Sequence, residues 1–468
     1  MRMSRVPLLL ALVAALVLGS AGAGSSAAAG AALDPQLVAA LATADGPVEV
    51  VVTFDGEGAP TAADVAALRD AGITTGVTFA ALPMAGVLAT ASQVDALAAS
   101  PEVASLYLNR KLAYENERST AVTGVDAVRA DPKLTKKNGD LPVAGYGATV
   151  LVNDSGVDGG HLDHRFGPHL VQNVEGATNL RAWSELAPVT YVEDVENTDA
   201  TGGHGTHVAG IVGGNGFRSD GKYEGVAPGA KLIGYGSGAG LAILDVLGGF
   251  DYAIANRDRY GIDVITNSWG DTSDACTDVN PDDPVTRATY DTFKAGIAVV
   301  FSAGNSGPRE CTISGNYKKA PWVIAVAAGN SKRELASFSS RGTPGGGGSF
   351  TLDGKTWTWQ DRPTVTAPGV LVVSTRALSP VGVVGTDDDV AGGIAPEHLP
   401  YYTTLSGTSM AAPHVAGVIA LMLDADPSLT PLKVKEILQA TATPIPYETW
   451  EVGAGYVDAY AAVQRAFR

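Results

Sequence analysis

Three polar residues in this chain have the types and the spacing to transfer an acyl group. Ser409 stands in LSGTSMAAPHVAG (residues 405–417), a Gly-Thr-Ser turn that runs directly into small and apolar residues. Pro413 falls in the first turn or so of the helix this run predicts, where a missing N–H costs little. The Ser409 hydroxyl is thereby placed at the helix N-terminus, where unpaired backbone donors and the helix dipole favour developing negative charge. Asp154 follows a hydrophobic run in VLVNDSGVD, and His204 sits among glycines in TGGHGTHVAG. A serine hydroxyl is a weak nucleophile until an imidazole removes its proton. The imidazole in turn needs a carboxylate to fix its tautomer and to stabilise the imidazolium that forms.

Each residue alone has a plainer reading: Ser409 as a helix cap, Asp154 as a turn former, His204 as a structural or solvated histidine. Three glycine-flanked sites in the order Asp, His, Ser, separated by 50 and 205 residues, favour chemistry instead. Metal-dependent hydrolysis is a rival. His161, Asp163, His164 and His169 cluster in sequence, and His204 and His207 lie three apart. No HExxH accompanies them, and the second pair is already explained by the Asp-His-Ser set.

The elements that must position these groups alternate between strand and helix. Strands are expected at 148–153, 231–234, 264–267, 297–302 and 323–328, and helices at 205–214, 241–257, 285–295, 428–440 and 456–467. That alternation predicts an α/β fold with a mainly parallel sheet covered on both faces. Residues 344–349 (PGGGGS) and the 357–359 stretch read as an exposed insertion. Ahead of this region, 48–54, 73–79, 84–89 and 103–108 read as strands and 62–71 and 91–99 as helices. This is the split-βαβ pattern of a small α+β module. Residues 24–46 read as a poorly ordered lead-in and 110–137 as a charged linker.

Composition sets the outer limits. The 468 residues are 45% hydrophobic and 17% charged, enough for a sizeable core. With 32 basic against 49 acidic side chains the net charge is -17, which argues against nucleic acid or an anionic membrane as partner. Arg2 and Arg5, an apolar run over 6–18 and the small residues that follow have the order of a secretory signal peptide, with cleavage expected after Ala23. An uncleaved anchor is the other reading of that run. No later segment is expected to span a membrane, so the mature protein is expected to be exported and soluble. Two cysteines, Cys276 and Cys311, leave open a single bridge or two thiols.

DSG at Asp154, HGTHVAG at His204 and GTSMAAPHVAG at Ser409 resemble the three signature segments of subtilisin-like serine proteases, a likeness that extends over about 120–468. The N-terminal module resembles the propeptide of that family. The resemblance implies a subtilisin-like three-layer α/β domain at 117–468, preceded by a signal peptide at 1–23 and a ferredoxin-like propeptide at 24–116, ordered over about 47–110. It implies a secreted endopeptidase acting on polypeptides, with Asp154 orienting, His204 as general base then acid, and Ser409 as nucleophile. Asn305, in FSAGNSGP, matches the oxyanion-hole asparagine. Ser268, Trp269 and Gly270 resemble the strand that pairs with extended peptide, and Ser302, Ala303 and Gly304 one wall of the primary specificity pocket. Small residues there predict room for a large apolar side chain.

The same likeness implies a monomer whose propeptide acts as intramolecular chaperone and inhibitor and is self-cleaved between about Tyr107 and Thr120. No cofactor or metal is expected in the chemistry. Structural calcium fits the family, and the loop at 385–393 has the oxygen donors for a hard cation, but no ligands are assigned. Asn153 departs from the pattern, which has a hydrophobic residue before the aspartate. A binding protein of the same fold without activity would be expected to lack one of the four polar residues, and all four are present.

Overall fold

The computed structural model describes residues 31–109, 113–114, 120–199, 202–236, 241–378, 386, 388–389 and 393–467. The N-terminal module comprises β1 (Val48–Phe54), α1 (Ala62–Asp70), β2 (Gly76–Thr78), β3 (Met84–Ala89), α2 (Ala91–Ala98) and β4 (Val103–Leu108). Helix α1 starts on a capping box: the Thr61 hydroxyl accepts from Asp64 N and the Asp64 carboxylate accepts from Thr61 N. The alternation of β1 divides its side chains between two cores. Val50 and Val52 join Leu68, Val94 and Leu97 inside the module, while Val51 faces a core shared with the larger domain.

The larger domain is built on an eight-stranded sheet. Its strands in chain order are β6 (Thr149–Asn153), β7 (Leu170–Ala177), β8 (Thr190–Val192), β9 (Lys231–Gly236), β10 (Ile262–Asn267), β12 (Ala298–Ser302), β13 (Val323–Gly329) and β14 (Val365–Pro368), with a short ribbon strand β11 (Trp269–Gly270) between β10 and β12. The spatial order is β8-β7-β9-β6-β10-β12-β13-β14, parallel except for the β8–β7 edge. The first strand in sequence, β6, is therefore central, with β9 on one side and β10 on the other. Crevices at strand C-termini open where the order reverses in this way.

Helices cover both faces. On one side lie α3 (His204–Gly213) and α6 (Thr408–Ala425), which crosses β10, β12 and β13; on the other lie α4 (Ile243–Ala255) and α5 (Pro284–Lys294). Strand β6 again sorts its residues by period two, Val150 and Val152 toward α3 and α6, Leu151 toward α4 and α5. Helix α5 has Pro284 in its first turn and Asp283 as cap, accepting from Val285 N and Thr286 N. Helix α6 is long and apolar enough by composition to cross a membrane, contrary to the expectation that no later segment would be, yet 89% of it is buried inside the fold. Its apolarity serves the core. Helices α7 (Pro431–Thr441) and α8 (Ala459–Ala466) close the domain as expected.

Residues 24–30 of the expected lead-in and 110–112 and 115–119 of the expected linker lie outside the described residues; the described parts of both are more ordered than their composition suggested. Ala32–Leu33 adds a strand beside β4, and Pro35–Thr43 is a helix with Asp34 as its cap. Val125–Ala130 and Pro132–Lys137 are helical within the supposed linker. The supposed exposed insertion is a hairpin, Gly347–Leu352 with Lys355–Gln360, whose Trp357 and Trp359 are buried. Trp357 packs edge-on against Trp322. Cys276 and Cys311 form a disulfide.

The module is seated on α4. The Asp251 carboxylate accepts from Ala80 N and Ala81 N, Leu244 N donates to the Asn109 side chain, and β2 pairs with Leu186–Pro188. Beyond β4, Ala113–Tyr114 (β5) runs antiparallel to β11, with Tyr114 opposite Trp269 and Ala113 opposite Gly270.

Candidate active site

Asp154 follows the last residue of β6, at the C-terminal edge of the sheet, and is almost fully buried. One carboxylate oxygen, Oδ1, accepts from Ser155 N at 2.8 Å and lies 2.6 Å from Nδ1 of His204, the first residue of α3. That contact fixes which imidazole nitrogen faces the carboxylate and leaves Nε2 as the nitrogen that can meet a nucleophile. Ser409 is the second residue of α6, at the N-terminus as the sequence predicts. Its hydroxyl donates to the Ser268 carbonyl oxygen at 2.8 Å, and the Ser268 hydroxyl donates to the Ser409 carbonyl oxygen at 2.7 Å.

Asn305 follows β12 at the same edge. Its Oδ1 accepts from Thr408 N at 3.0 Å and from the Thr408 hydroxyl at 3.1 Å. With the carbonyl end held by the residue before Ser409, the amide N–H₂ end is turned toward the other side. The Thr408 hydroxyl also accepts from Gly304 N at 3.0 Å, tying the pocket wall to the helix start.

Two positioning residues escaped the sequence reading. Thr408 is one, a residue inside the GTS motif that looks like a helix starter. Asp199 is the other. Its Oδ1 accepts from the Ser155 hydroxyl and from Gly203 N, and its Oδ2 from Thr206 N and the Thr206 hydroxyl. The Ser155 hydroxyl accepts from Gly205 N. Asp199 thus ties the turn after Asp154 to the first turn of α3, on both sides of the His204–Asp154 contact. Burial pushes its carboxyl pKa up, against four hydrogen bonds that pull it down. Its only sequence signal is an acidic residue five positions before His204.

The polar departure at Asn153 is fully accommodated. Its amide donates to Val246 O and to the Asn267 side chain, and its backbone carbonyl accepts from Trp269 Nε1. A Cβ at Gly249 would overlap this amide, so α4 approaches closely here because it carries a glycine.

The expected substrate residues fall beside Ser409, with one qualification. The Trp269 ring is wholly buried against Phe301, so residue 269 faces the cleft through its main chain alone. Ser302 and Ala303 are buried too, the Ser302 hydroxyl donating to Trp269 O. Beside the two glycines, a Cβ on Gly270 would meet Lys318 Nζ and the Ser314 hydroxyl, and one on Gly304 the hydroxyls of Ser340 and Ser314, so polar side chains pack against this wall.

The histidine cluster has internal partners. His161 Nδ1 accepts from Asp163 N and its Nε2 lies 2.9 Å from Tyr401 O, while His164 Nε2 is 3.2 Å from the Thr375 hydroxyl. Burial pushes the pKa of His161, His164 and His169 down. In the loop at 385–393, residues 385, 387 and 390–392 lie outside the described residues. Asp389 is buried and accepts from Arg376, the Thr403 hydroxyl and Thr404 N.

Residues 145–457 match the family model described as the subtilase family. The chain is 33% identical over 360 residues to serine protease AprX of Bacillus subtilis (strain 168), covering 72% of this chain and 69% of AprX. It is 31% identical over 355 residues to subtilisin DY of Bacillus licheniformis, covering 74% of this chain and 99% of that protein. Among solved structures it resembles fervidolysin from Fervidobacterium pennivorans, a keratinolytic enzyme related to subtilisin, with a TM-score of 0.61 at 20% identity. That match covers 93% of this chain and 63% of fervidolysin, so the chain spans less than two thirds of fervidolysin's length, and the likeness is one of fold.

Proposed function

The chain belongs to the subtilase family of serine proteases, and from that premise we propose that Ser409, His204 and Asp154 hydrolyse peptide bonds through an acyl-enzyme. The observation that carries the assignment is the 2.6 Å contact between His204 Nδ1 and Asp154 Oδ1 beside a serine at the N-terminus of α6.

In this reading the Ser409 hydroxyl turns from the Ser268 carbonyl toward His204 Nε2 when a substrate arrives. Its oxygen attacks the scissile carbonyl carbon as His204 takes the proton, and Asp154 stabilises the imidazolium. The carbonyl oxygen becomes an oxyanion between the Asn305 amide and Ser409 N, which as an early helical N–H has no intrahelical acceptor. In a related serine protease, losing one such donor lowers kcat about 10²–10³-fold. The imidazolium gives its proton to the leaving amine as the C–N bond breaks. Water then attacks the ester with His204 again as base, releasing the new carboxyl end and restoring the Ser409 hydroxyl. None of these steps calls on a cofactor; any calcium would be structural.

Residues 24–116 act, in the same reading, as a propeptide that is chaperone and inhibitor, and residues 1–23, outside the described residues, as an export signal. The pairing of β5 with β11 supports this, because a strand of the chain's own N-terminal part lies where an extended substrate would add. The mature enzyme is then a secreted monomer that acts on polypeptides.

The test is a fluorophosphonate probe applied to wild type and Ser409→Ala, with casein hydrolysis followed in parallel. Labelling and hydrolysis should be present in the wild type and absent from the variant. Casein hydrolysis that survives Ser409→Ala would sink the assignment.

A further inference from the structure

The edge of the sheet opposite the proposed catalytic residues carries a cavity of a different character. Asp154 and Asn305 stand beyond the C-terminal ends of β6 and β12. At the other edge, Pro321 and Thr364 lie just ahead of β13 and β14 and wall a cavity of about 260 Å³. Thr358 and Gln360 of the hairpin add to the wall, as does Arg362 just after it. Lys435 and Gln439 complete it from one face of α7, four residues apart. Among the described residues that line this cavity there are four basic side chains and no carboxylate, in a chain whose net charge is -17.

Two of the four are engaged with partners away from α7. Lys318 Nζ lies 3.0 Å from Ser314 Oγ, and Lys319 donates to Thr277 O and faces Asp361. The Lys435 ammonium donates to Pro321 O and Val323 O, which leaves one of its three N–H groups. Among the described residues the Arg362 guanidinium makes no ion pair and no side-chain hydrogen bond. Burial of the ammonium, and after it the charge of Arg362, push Lys435 down to about 7. Two neighbouring cations thus repel each other at a cavity whose described wall holds no carboxylate. The acidic residues beside them in the sequence are taken: Asp361 accepts from the Thr343 hydroxyl at 2.7 Å, and Glu436 pairs with Lys433 at 3.0 Å. Arg362 and Gln439 also wall an adjoining cavity of about 480 Å³, together with Arg465, Lys433 and Glu436.

We propose that the smaller cavity binds a multivalent oxyanion of the phosphate type, held by Arg362 and Lys435 with Gln439, Gln360 and Thr358 as further donors. A guanidinium presents a planar fork of N–H groups that matches two oxygens of such an anion. The remaining Lys435 N–H supplies a further charge-assisted bond. The anion also offsets the repulsion between the two cations, which an apolar ligand would leave in place and a cation would increase. Bound there, it joins the hairpin, the entry to β14 and α7, segments far apart in the sequence. Binding to the folded state alone then registers as stability. The site lies at the sheet edge away from Ser409 and is independent of the protease reading.

The experiment titrates inorganic phosphate into the purified protein by calorimetry at neutral pH. Melting temperatures are read in parallel in phosphate and in chloride of equal ionic strength. The wild type should show one saturable site and a melting temperature that rises with phosphate. Arg362→Gln should bind phosphate about tenfold more weakly or worse, the worth of one charged hydrogen bond. In chloride it should melt no lower than the wild type, because the substitution removes a charge that Lys435 repels. Gln439→Leu, which keeps both cations, should weaken binding several-fold. It decides the matter should Arg362→Gln fail to fold. Phosphate also stabilises proteins generally by exclusion from their surface, and that effect would be the same in wild type and variants. An equal response of all three proteins, or no saturable binding to the wild type, overturns the proposal.

Discussion

Ser268 and Ser409 hold each other twice: the Ser409 hydroxyl donates to the Ser268 carbonyl over 2.8 Å while the Ser268 hydroxyl donates to the Ser409 carbonyl over 2.7 Å. The first turn of α6 is thereby latched to the ledge on which β11 begins. The proposed nucleophile and the segment that leads into β11 are therefore tied by two hydrogen bonds. Ser268→Ala removes one buried hydrogen bond and should cost about 1–2 kcal/mol of stability. The Ser268 main chain, which in the proposed scheme lies beside the substrate, is unchanged. We expect a lower melting temperature and a kcat reduced by up to about tenfold at nearly constant KM. An unchanged melting temperature would mean the latch carries no load.

Asp154→Asn tests the other half of the site. The side chain keeps its shape, but an amide cannot hold His204 in the tautomer that leaves Nε2 free to accept a proton. In a related triad this change lowers kcat about 10⁴-fold, and a similar fall is expected here with the fold intact. Single-turnover acylation and a melting curve separate the two effects. A loss under tenfold would show that the 2.6 Å contact is structural only.

The residues proposed to carry the chemistry were legible because each sits in a glycine-rich setting that ordinary core sequence lacks. Asp199 and Thr408 were not, since an isolated aspartate and a helix-starting threonine look the same wherever they occur. Their roles exist only once the turns around His204 and Ser409 are brought together. Lys318 was hidden for another reason: in a Lys-Lys pair it reads as solvated surface, yet it is buried, with Nζ beside the Ser314 hydroxyl. The hairpin at 347–360 did carry a signal: Trp357 and Trp359 alternate with threonine and glutamine, the period of a half-buried strand, but the preceding glycines suggested a loop.

Gly86 sets how closely the N-terminal module approaches. A Cβ there would come within 2.5 Å of Leu244 Cδ1, at the start of α4, so Gly86→Val should push β3 off the catalytic domain. Overpacking of this kind costs about 1–3 kcal/mol, predicting a processed yield about tenfold lower or worse. Residue 86 lies outside the mature enzyme in the proposed scheme, so molecules that do mature should have wild-type kcat. Normal processing yield would contradict the docking as a requirement for maturation.

Acid should weaken the fold through histidines that the catalytic scheme does not use. His207 and His414 are each pushed down to about 3, first by burial, then by a nearby positive group, His204 and Arg129 respectively. His414 sits in α6 with Nε2 2.9 Å from the Thr123 hydroxyl. Folded, these rings stay neutral; unfolded, each takes a proton near its ordinary value of about 6.5. Their contribution is therefore fully present above about pH 6.5 and is lost as pH falls toward 3. Each histidine removes about 1.4 kcal/mol per pH unit inside that window. Asp245 works the other way: burial pushes it up to about 6, so its contribution is present below its ordinary value and lost as pH rises through 6. Comparing wild type with His414→Gln cancels that opposing slope. Denaturant melts at pH 6.5, 5.5 and 4.5 should show the wild-type advantage shrinking by about 1.4 kcal/mol per unit. Parallel curves would mean that His414 is protonated in the folded state.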